Sequence, residues 1–422
     1  MGRIVAWVAG VVVVAVAAAA IALWFFIPTK PAGQTDPSFR IYTAPSLPLE
    51  LQTGHAHIAV SSLATSTLED RIRSLLIVSK PGTDAAQLEA LLKQSGAAGF
   101  ILMKPNIPAT QTQLRTLTAA IAGSQAFPRL IAIDEEGGDV TRLPYDTYPG
   151  ANTLRFSPPA ATMTAFTQRS SLLTQVGVNF NFGIVADITS DPTSFIYSRS
   201  YGGTGVSAGE RVVAAVNGEK TSPVLSTLKH FPGHGAAPGD SHSSIPSTSM
   251  SKDAWEANEA IPFKMGIDAG APAVMFGHLA YKSVDAQPAS LSARWHSILR
   301  NELKFTGLAV TDDMLMLQRS GVAEFSNVND NAIRAITAGN DILLYVLGDD
   351  PASNGVNIDQ LVSAVASAVT SGRISEQRIN EAALRSLTMR RGLSSEAASD
   401  PQECNISCTI GYSLLFPLST HK

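Results

Sequence analysis

Short apolar runs of three to six residues recur along the chain from residue 75 onward. They fall at Leu75–Val78, Gly99–Met103, Leu130–Ile133, Val178–Phe182, Val224–Leu228, Ala273–Phe276, Leu308–Val310 and Ile342–Leu347. Each has the length of a strand, and several are rich in Val, Ile and Phe. Most are unbroken rather than alternating, as expected of parallel strands covered on both faces. Val178–Phe182 is the exception, with Asn179 and Asn181 alternating with apolar residues.

Helical patterns lie between these runs. Asp84–Gln94 places Leu88, Leu91 and Leu92 on one face, and Gly96 follows as a stop. Thr110–Ala122 does the same with Leu114, Leu117 and Ile121. Lys252–Ile261 follows Ser251, an N-cap residue, and Pro262 marks a break or kink. Ala293–Leu303, Asn331–Thr337 and Ile358–Val369 continue the series. Strands alternating with helices over roughly 340 residues predict an α/β fold, a single (β/α)8 TIM-type barrel. An open doubly wound sheet is the alternative, but no dinucleotide glycine fingerprint or phosphate-binding loop follows the first run.

The amino-terminal pattern differs. Ile4–Ile27 is a stretch of 24 residues without charge, flanked by Arg3 and Lys30. As a helix it spans ~36 Å at ~1.5 Å per residue, enough for a bilayer core of ~30 Å. Residues 1–28 therefore read as a transmembrane signal anchor or a cleaved signal peptide. Either places the rest of the chain outside the cytoplasm, membrane-anchored or secreted. Residues 29–49 are a Pro/Thr/Ser-rich linker, 50–395 the barrel and 396–422 a tail. Cys404 and Cys408, with three residues between them, suit a small disulfide loop in an exported protein. Asn405-Ile406-Ser407 is a glycosylation sequon by pattern. The formal net charge is −4, which provides no basic field, so nucleic acid is not an expected partner. Two cysteines exclude a disulfide-dense scaffold.

In a barrel of this kind the chemistry gathers just past the strand C-termini. Asp134 ends the third run, Lys229 and His230 the fifth and Asp312 the seventh, and His278 follows the sixth. The densest cluster is Lys229-His230-Phe231-Pro232-Gly233-His234-Gly235 with Asp240-Ser241-His242, which holds three of the eight histidines. Asp240 and His242 are two apart, so the carboxylate reaches the imidazole within one turn and favours its protonated form. The other clusters are Asp134-Glu135-Glu136-Gly137-Gly138 with Arg142, Tyr197-Ser198-Arg199-Ser200-Tyr201, and Thr311-Asp312-Asp313.

The histidine loop resembles the signature of glycoside hydrolase family 3, and within it the β-N-acetylglucosaminidase branch. The resemblance extends in order through Asp134–Gly138, Arg199–Tyr201, Met275–His278 and Thr311–Asp313, covering roughly residues 50 to 395. It implies a (β/α)8 barrel and a retaining double displacement. By similarity Asp312 is the nucleophile, His242 the acid/base and Asp240 its partner, while Asp134, Arg142, Arg199, Lys229 and His230 line the sugar subsite. It implies an exo-acting β-N-acetylglucosaminidase (β-N-acetylhexosaminidase) on peptidoglycan- or chitin-derived N-acetylglucosamine glycans, with no metal and no organic cofactor. About 27 residues follow position 395, too few for a further domain, so the single-domain form is expected. The family often has a Ser-Met-Glu-Gly-like segment where this chain reads Met314-Leu315-Met316-Leu317, and contacts from that loop do not carry over.

Other readings stand beside these. His230, His234 and His242 are candidate metal ligands. His234 is also a candidate for holding the loop, His278 for a satisfied histidine behind the site, and Met314 and Met316 for packing. His55, His57, His296 and His421 read as surface residues. A different family 3 β-glycosidase, phosphate in place of water, and an inactive sugar-binding barrel remain open.

Overall fold

The structure is a computed structural model and describes residues 54–348 and 355–394. The expectations for the anchor, the linker, the Cys404–Cys408 disulfide, the sequon and the tail lie outside the described residues, as do His421 and the side chains of His55 and His57. Among the described residues no helix is long and apolar enough to cross a membrane.

All eight apolar runs form strands, and these close into one parallel barrel. In chain order the elements are β1 (Leu76–Val78), β2 (Gly99–Leu102), β3 (Leu130–Ile133), β4 (Phe180–Val185), β5 (Leu225–Phe231), β6 (Ser247–Thr248), β7 (Ala273–Phe276), β8 (Ala280–Tyr281), β9 (Leu308–Asp313) and β10 (Ile342–Tyr345). The barrel runs β1-β10-β9-β7-β5-β4-β3-β2; β6 and β8 form a separate two-stranded ribbon. The doubly wound alternative is thereby excluded, because β1 pairs with both β2 and β10 and no strand edge is left open.

The unbroken runs have the cause expected of them. Alternate residues, including Ile77, Ile101, Phe180, Phe182, Met275, Val310 and Leu344, form one buried cluster. The residues between them, including Leu76, Val78, Phe100 and Ile133, join a second cluster with helix residues such as Leu88, Leu114 and Ile336. Both faces of each strand are apolar because one fills the barrel and the other meets helices.

Three expectations are corrected. The fourth strand begins at Phe180 and continues to Val185, two residues later than Val178–Phe182. Asn181 is fully buried because its amide bridges the Glu135 backbone and the Glu219 side chain, so its polarity does not mark the exposed face that alternation suggests. The helix expected over Lys252–Ile261 is two helices, Lys252–Ala257 and Ala260–Asp268. The break falls at Asn258, whose Oδ1 accepts the Gly205 N–H at 2.7 Å. Pro262 lies in the first turn of the second helix, where a missing N–H costs nothing. His296 is not at the surface: its ring is buried and stacked on Phe276, with centroids 3.8 Å apart. Burial pushes its pKa down to about 4. The pattern also misses the helices Pro159–Gln175, Gly205–Glu219 and Glu376–Gly392, the first two of which pack on each other.

Candidate active site

The C-terminal ends of β3, β4, β5, β7 and β9 surround a cavity of about 400 Å³, β7 contributing Met275. Asp134, Arg142, Arg199, Lys229, His230, His242 and Asp312 all line it, and Asp240 is bonded to His242 at its rim. Residues from positions 134 to 312 thus converge because each follows, or ends, a neighbouring strand of the barrel.

Lys229 is the hub. It is 2% exposed, and its Nζ lies 3.0 Å from Asp134 Oδ1 and 2.6 Å from Glu136 Oε1. Arg199 grips Glu136 with Nη2 at 2.7 Å and Nε at 2.9 Å. Arg142 donates to Asp134 Oδ2 at 3.2 Å. Buried charges persist only when paired and hydrogen-bonded, and here each carboxylate has two cationic partners. Burial works against ionisation of Asp134, but Lys229 and Arg142 outweigh it and hold the carboxyl well below the ordinary range. Burial likewise opposes the Lys229 charge, yet Asp134 and Glu136 raise its pKa overall.

The histidine loop is shaped by its glycines. Gly233 has φ +131°, a backbone state that side chains disfavour. At Gly235 an added Cβ would lie 1.8 Å from the Ile188 carbonyl oxygen. The Trp255 indole and the Tyr281 hydroxyl donate to the Pro232 and Gly233 carbonyls, each at 2.7 Å. His234 is buried and bonded to Ser241 Oγ at 3.1 Å, which fits the loop-holding reading. Among the described residues no group of three or more His, Cys, Asp or Glu side chains is arranged to hold a metal ion.

Asp240 and His242 meet as their spacing suggests. Asp240 Oδ1 lies 2.7 Å from His242 Nδ1 and accepts the His242 backbone N–H at 2.9 Å. The pair is exposed, with the imidazole at the cavity mouth. Asp312 sits deeper. Its Oδ1 accepts the Asp313 N–H at 2.8 Å. Burial works to raise its pKa, but His230, His278 and that N–H outweigh it and lower the pKa below the usual carboxylate value. His278 is fully buried behind it, bonded to Ser290 Oγ at 2.7 Å and to the Asp313 carbonyl at 3.0 Å, so it is a satisfied histidine. Met314 and Met316 are buried packing residues.

Sequence reading missed Asp187 and Phe195, and it named Glu136 only within the Asp134–Gly138 cluster, without a role in the site. Asp187 is fully buried and accepts the backbone N–H groups of His230 and His234. Its Oδ2 also lies 2.7 Å from His230 Nδ1, which fixes the ring and turns Nε2 toward Arg199 and the cavity. Asp187 follows β4 by two residues, so a strand placed to end at Val185 would have exposed it as a strand-end acid. Replacing Asp187 by asparagine is expected to cost about 1.5–3 kcal/mol in urea unfolding, the value of hydrogen bonds to a charged acceptor. The same variant should change the His230 ring-nitrogen chemical shifts; an unchanged ring signal would mean that Asp187 does not set its tautomer.

A family model described as the glycosyl hydrolase family 3 N terminal domain matches residues 67–389. The chain belongs to this family. A relative named beta-hexosaminidase, from Xanthomonas campestris pv. campestris, is 33% identical over 289 residues, covering 64% of this chain and 83% of its own. The solved structure of a glycoside hydrolase family 3 beta-N-acetylglucosaminidase from Paenibacillus superposes with a TM-score of 0.71 at 30% identity. That match covers 82% of this chain and 65% of the Paenibacillus chain. A beta-N-acetylhexosaminidase from Beutenbergia cavernae matches with a TM-score of 0.66 at 26% identity, over 78% of this chain and 99% of its own.

Proposed function

We propose that this family 3 protein is a retaining exo-β-N-acetylglucosaminidase that removes terminal N-acetylglucosamine from peptidoglycan- or chitin-derived glycans. The observation that carries the reading is one cavity lined by both Asp312 and His242, with Asp240 bonded to the His242 ring. The names of the relatives agree with it.

The chemistry follows from that placement. The terminal sugar enters the cavity, where Asp134, Arg142, Arg199, Lys229 and His230 offer donors and acceptors for its hydroxyls. An Asp312 carboxylate oxygen attacks the anomeric carbon as the glycosidic C–O bond breaks. His242 gives its Nε2 proton to the departing oxygen, with Asp240 steadying the imidazolium through Nδ1. In the second step His242 takes a proton from water, which attacks the anomeric carbon and releases Asp312. A neutral base avoids a second anion beside Asp312. The exposure of His242 fits a loop that closes over bound substrate before transferring the proton. The apolar stretch Ile4–Ile27 supports activity outside the cytoplasm, anchored to the membrane or secreted.

The test is hydrolysis of 4-nitrophenyl N-acetyl-β-glucosaminide by the full chain, with the β-glucoside as control. Selective cleavage of the acetamido sugar is expected. His242→Ala should lower kcat by roughly 10²–10⁴-fold, the usual contribution of a general acid/base. Faster cleavage of the glucoside would make the protein a β-glucosidase, and sugar binding without turnover would make it an inactive binding barrel.

A further inference from the structure

We propose that Phe195 is the platform of a leaving-group subsite, on which the second pyranose ring of a glycan rests while its bond to the terminal sugar is cut. The inference rests on the reading that the cavity holds that terminal sugar.

The loop carrying Phe195 is fastened from behind. Asp191 Oδ1 accepts the Thr193 N–H and O–H at 2.8 and 2.7 Å. Ile196 is fully buried, and Arg155 Nη1 donates to the Tyr197 carbonyl at 2.9 Å. Neighbouring Phe195 is left 38% exposed on this anchored segment. Five large apolar side chains among the described residues are exposed to that degree or more, and of these Phe195 alone lines the cavity. The others have no such setting, so ordinary surface apolarity accounts for them.

The position of the ring gives it a side of the reaction. Its centroid lies 5.6 Å from that of His242, at an interplanar angle of 69°, and 5.5 Å from that of His234. The Arg199 guanidinium stands 5.7 Å from the same centroid. The glycosidic oxygen must come within ~2.6–3.2 Å of the His242 nitrogen that protonates it. Phe195 borders His242 at the cavity rim already before the His242 loop closes, so the sugar beyond the oxygen leaves the cavity past Phe195, while Asp312 and Lys229 hold the terminal sugar deeper in. A pyranose presents an apolar C–H face. Laying that face on the aromatic ring removes both from water without asking for a hydrogen bond. The predicted ligand is therefore a glycan of at least two pyranose rings, bound with selectivity over glycosides of small alcohols.

The experiment compares di-N-acetylchitobiose with methyl N-acetyl-β-glucosaminide. Both have alkoxide leaving groups that need the same proton, but only the first has a second ring. For Phe195→Ala, the ratio of kcat/KM for disaccharide over methyl glycoside should fall about ten-fold, the scale of one apolar pocket contact. Most of the fall should appear in KM for the disaccharide, and Phe195→Trp should restore the ratio. An unchanged ratio overturns the subsite: if both substrates slow together, Phe195 only orients His242, and if neither changes, the ring plays no part. Failure of the parent protein to cleave either glycoside would instead overturn the glycosidase reading and the subsite with it.

Discussion

Asp312→Asn is expected to lower turnover of 4-nitrophenyl N-acetyl-β-glucosaminide by roughly 10⁴-fold or more, as loss of a nucleophile does in other covalent mechanisms. The amide has nearly the same shape but cannot form the glycosyl ester. His230, His278 and the Asp313 N–H lower the Asp312 pKa below the usual carboxylate value against the opposing effect of burial. Its charge is thus in place at neutral pH, and the acid limb of the pH–rate profile should not report this group near neutrality. Thermal unfolding of the variant should stay close to that of the parent, because the site keeps its packing and loses one carboxylate oxygen. Residual activity within about ten-fold of the parent would remove Asp312 from the nucleophile role.

The second large effect lies at the opposite end of the barrel and concerns stability. Asp341 immediately precedes β10 and is fully buried. It takes Arg300 at 2.6 Å, Arg378 at 2.9 Å and Arg385 at 3.1 Å, and it also accepts the Ala309 N–H at 3.0 Å. Asp341→Asn leaves three guanidinium groups converging on a neutral amide. Breaking a buried ion pair from one side costs about 3–5 kcal/mol, and urea unfolding should lose an amount of that order. A loss below ~1 kcal/mol, the value of an exposed pair, would mean that the arginines find other partners or water.

The pH dependence of that loss has a definite sign. Burial works to raise the Asp341 pKa, but Arg385, Arg300 and Arg378 outweigh it and depress the folded value far below that of an unfolded aspartate, ~3.9. A depressed pKa contributes stability above the unfolded value and loses it as pH falls toward the folded one. The difference between parent and variant should therefore be constant above pH ~5 and narrow as the pH drops below ~4. The activity of correctly folded variant should persist, since barrel enzymes keep their chemistry at the other rim.

Much of the site is legible because a barrel strand announces its own end. Leu130–Ile133 is apolar and Asp134 is not; Leu308–Val310 is apolar and Asp312 follows. Asp187 escapes the same rule because Asn179 and Asn181 disguise where β4 begins. Inside the structure Asn179 replaces ladder partners by bonding the Ile131 N–H and the Arg129 carbonyl with its own amide. Its side chain serves the backbone, so its polarity says nothing about exposure. His296 misleads in the same way, since a neutral imidazole stacked on Phe276 and bonded to the Ser292 carbonyl is content in a core.

By itself the sequence determined the barrel, the strand-end position of Asp134, Lys229, His230 and Asp312, and the local Asp240–His242 pair. Apolar periodicity reports burial, and a spacing of two brings a carboxylate to an imidazole in almost any turn. Only the tertiary structure decided that Lys229 stands between Asp134 and Glu136, that Arg199 clasps Glu136, and that Asp187 holds His230. It also decided that Phe195 reaches the cavity mouth while Ile196 faces the core. These partners are separated along the chain by up to 95 residues. They meet because barrel closure fixes which strands are neighbours and in what register. Periodicity carries no trace of that choice, because every strand of the barrel has the same apolar faces.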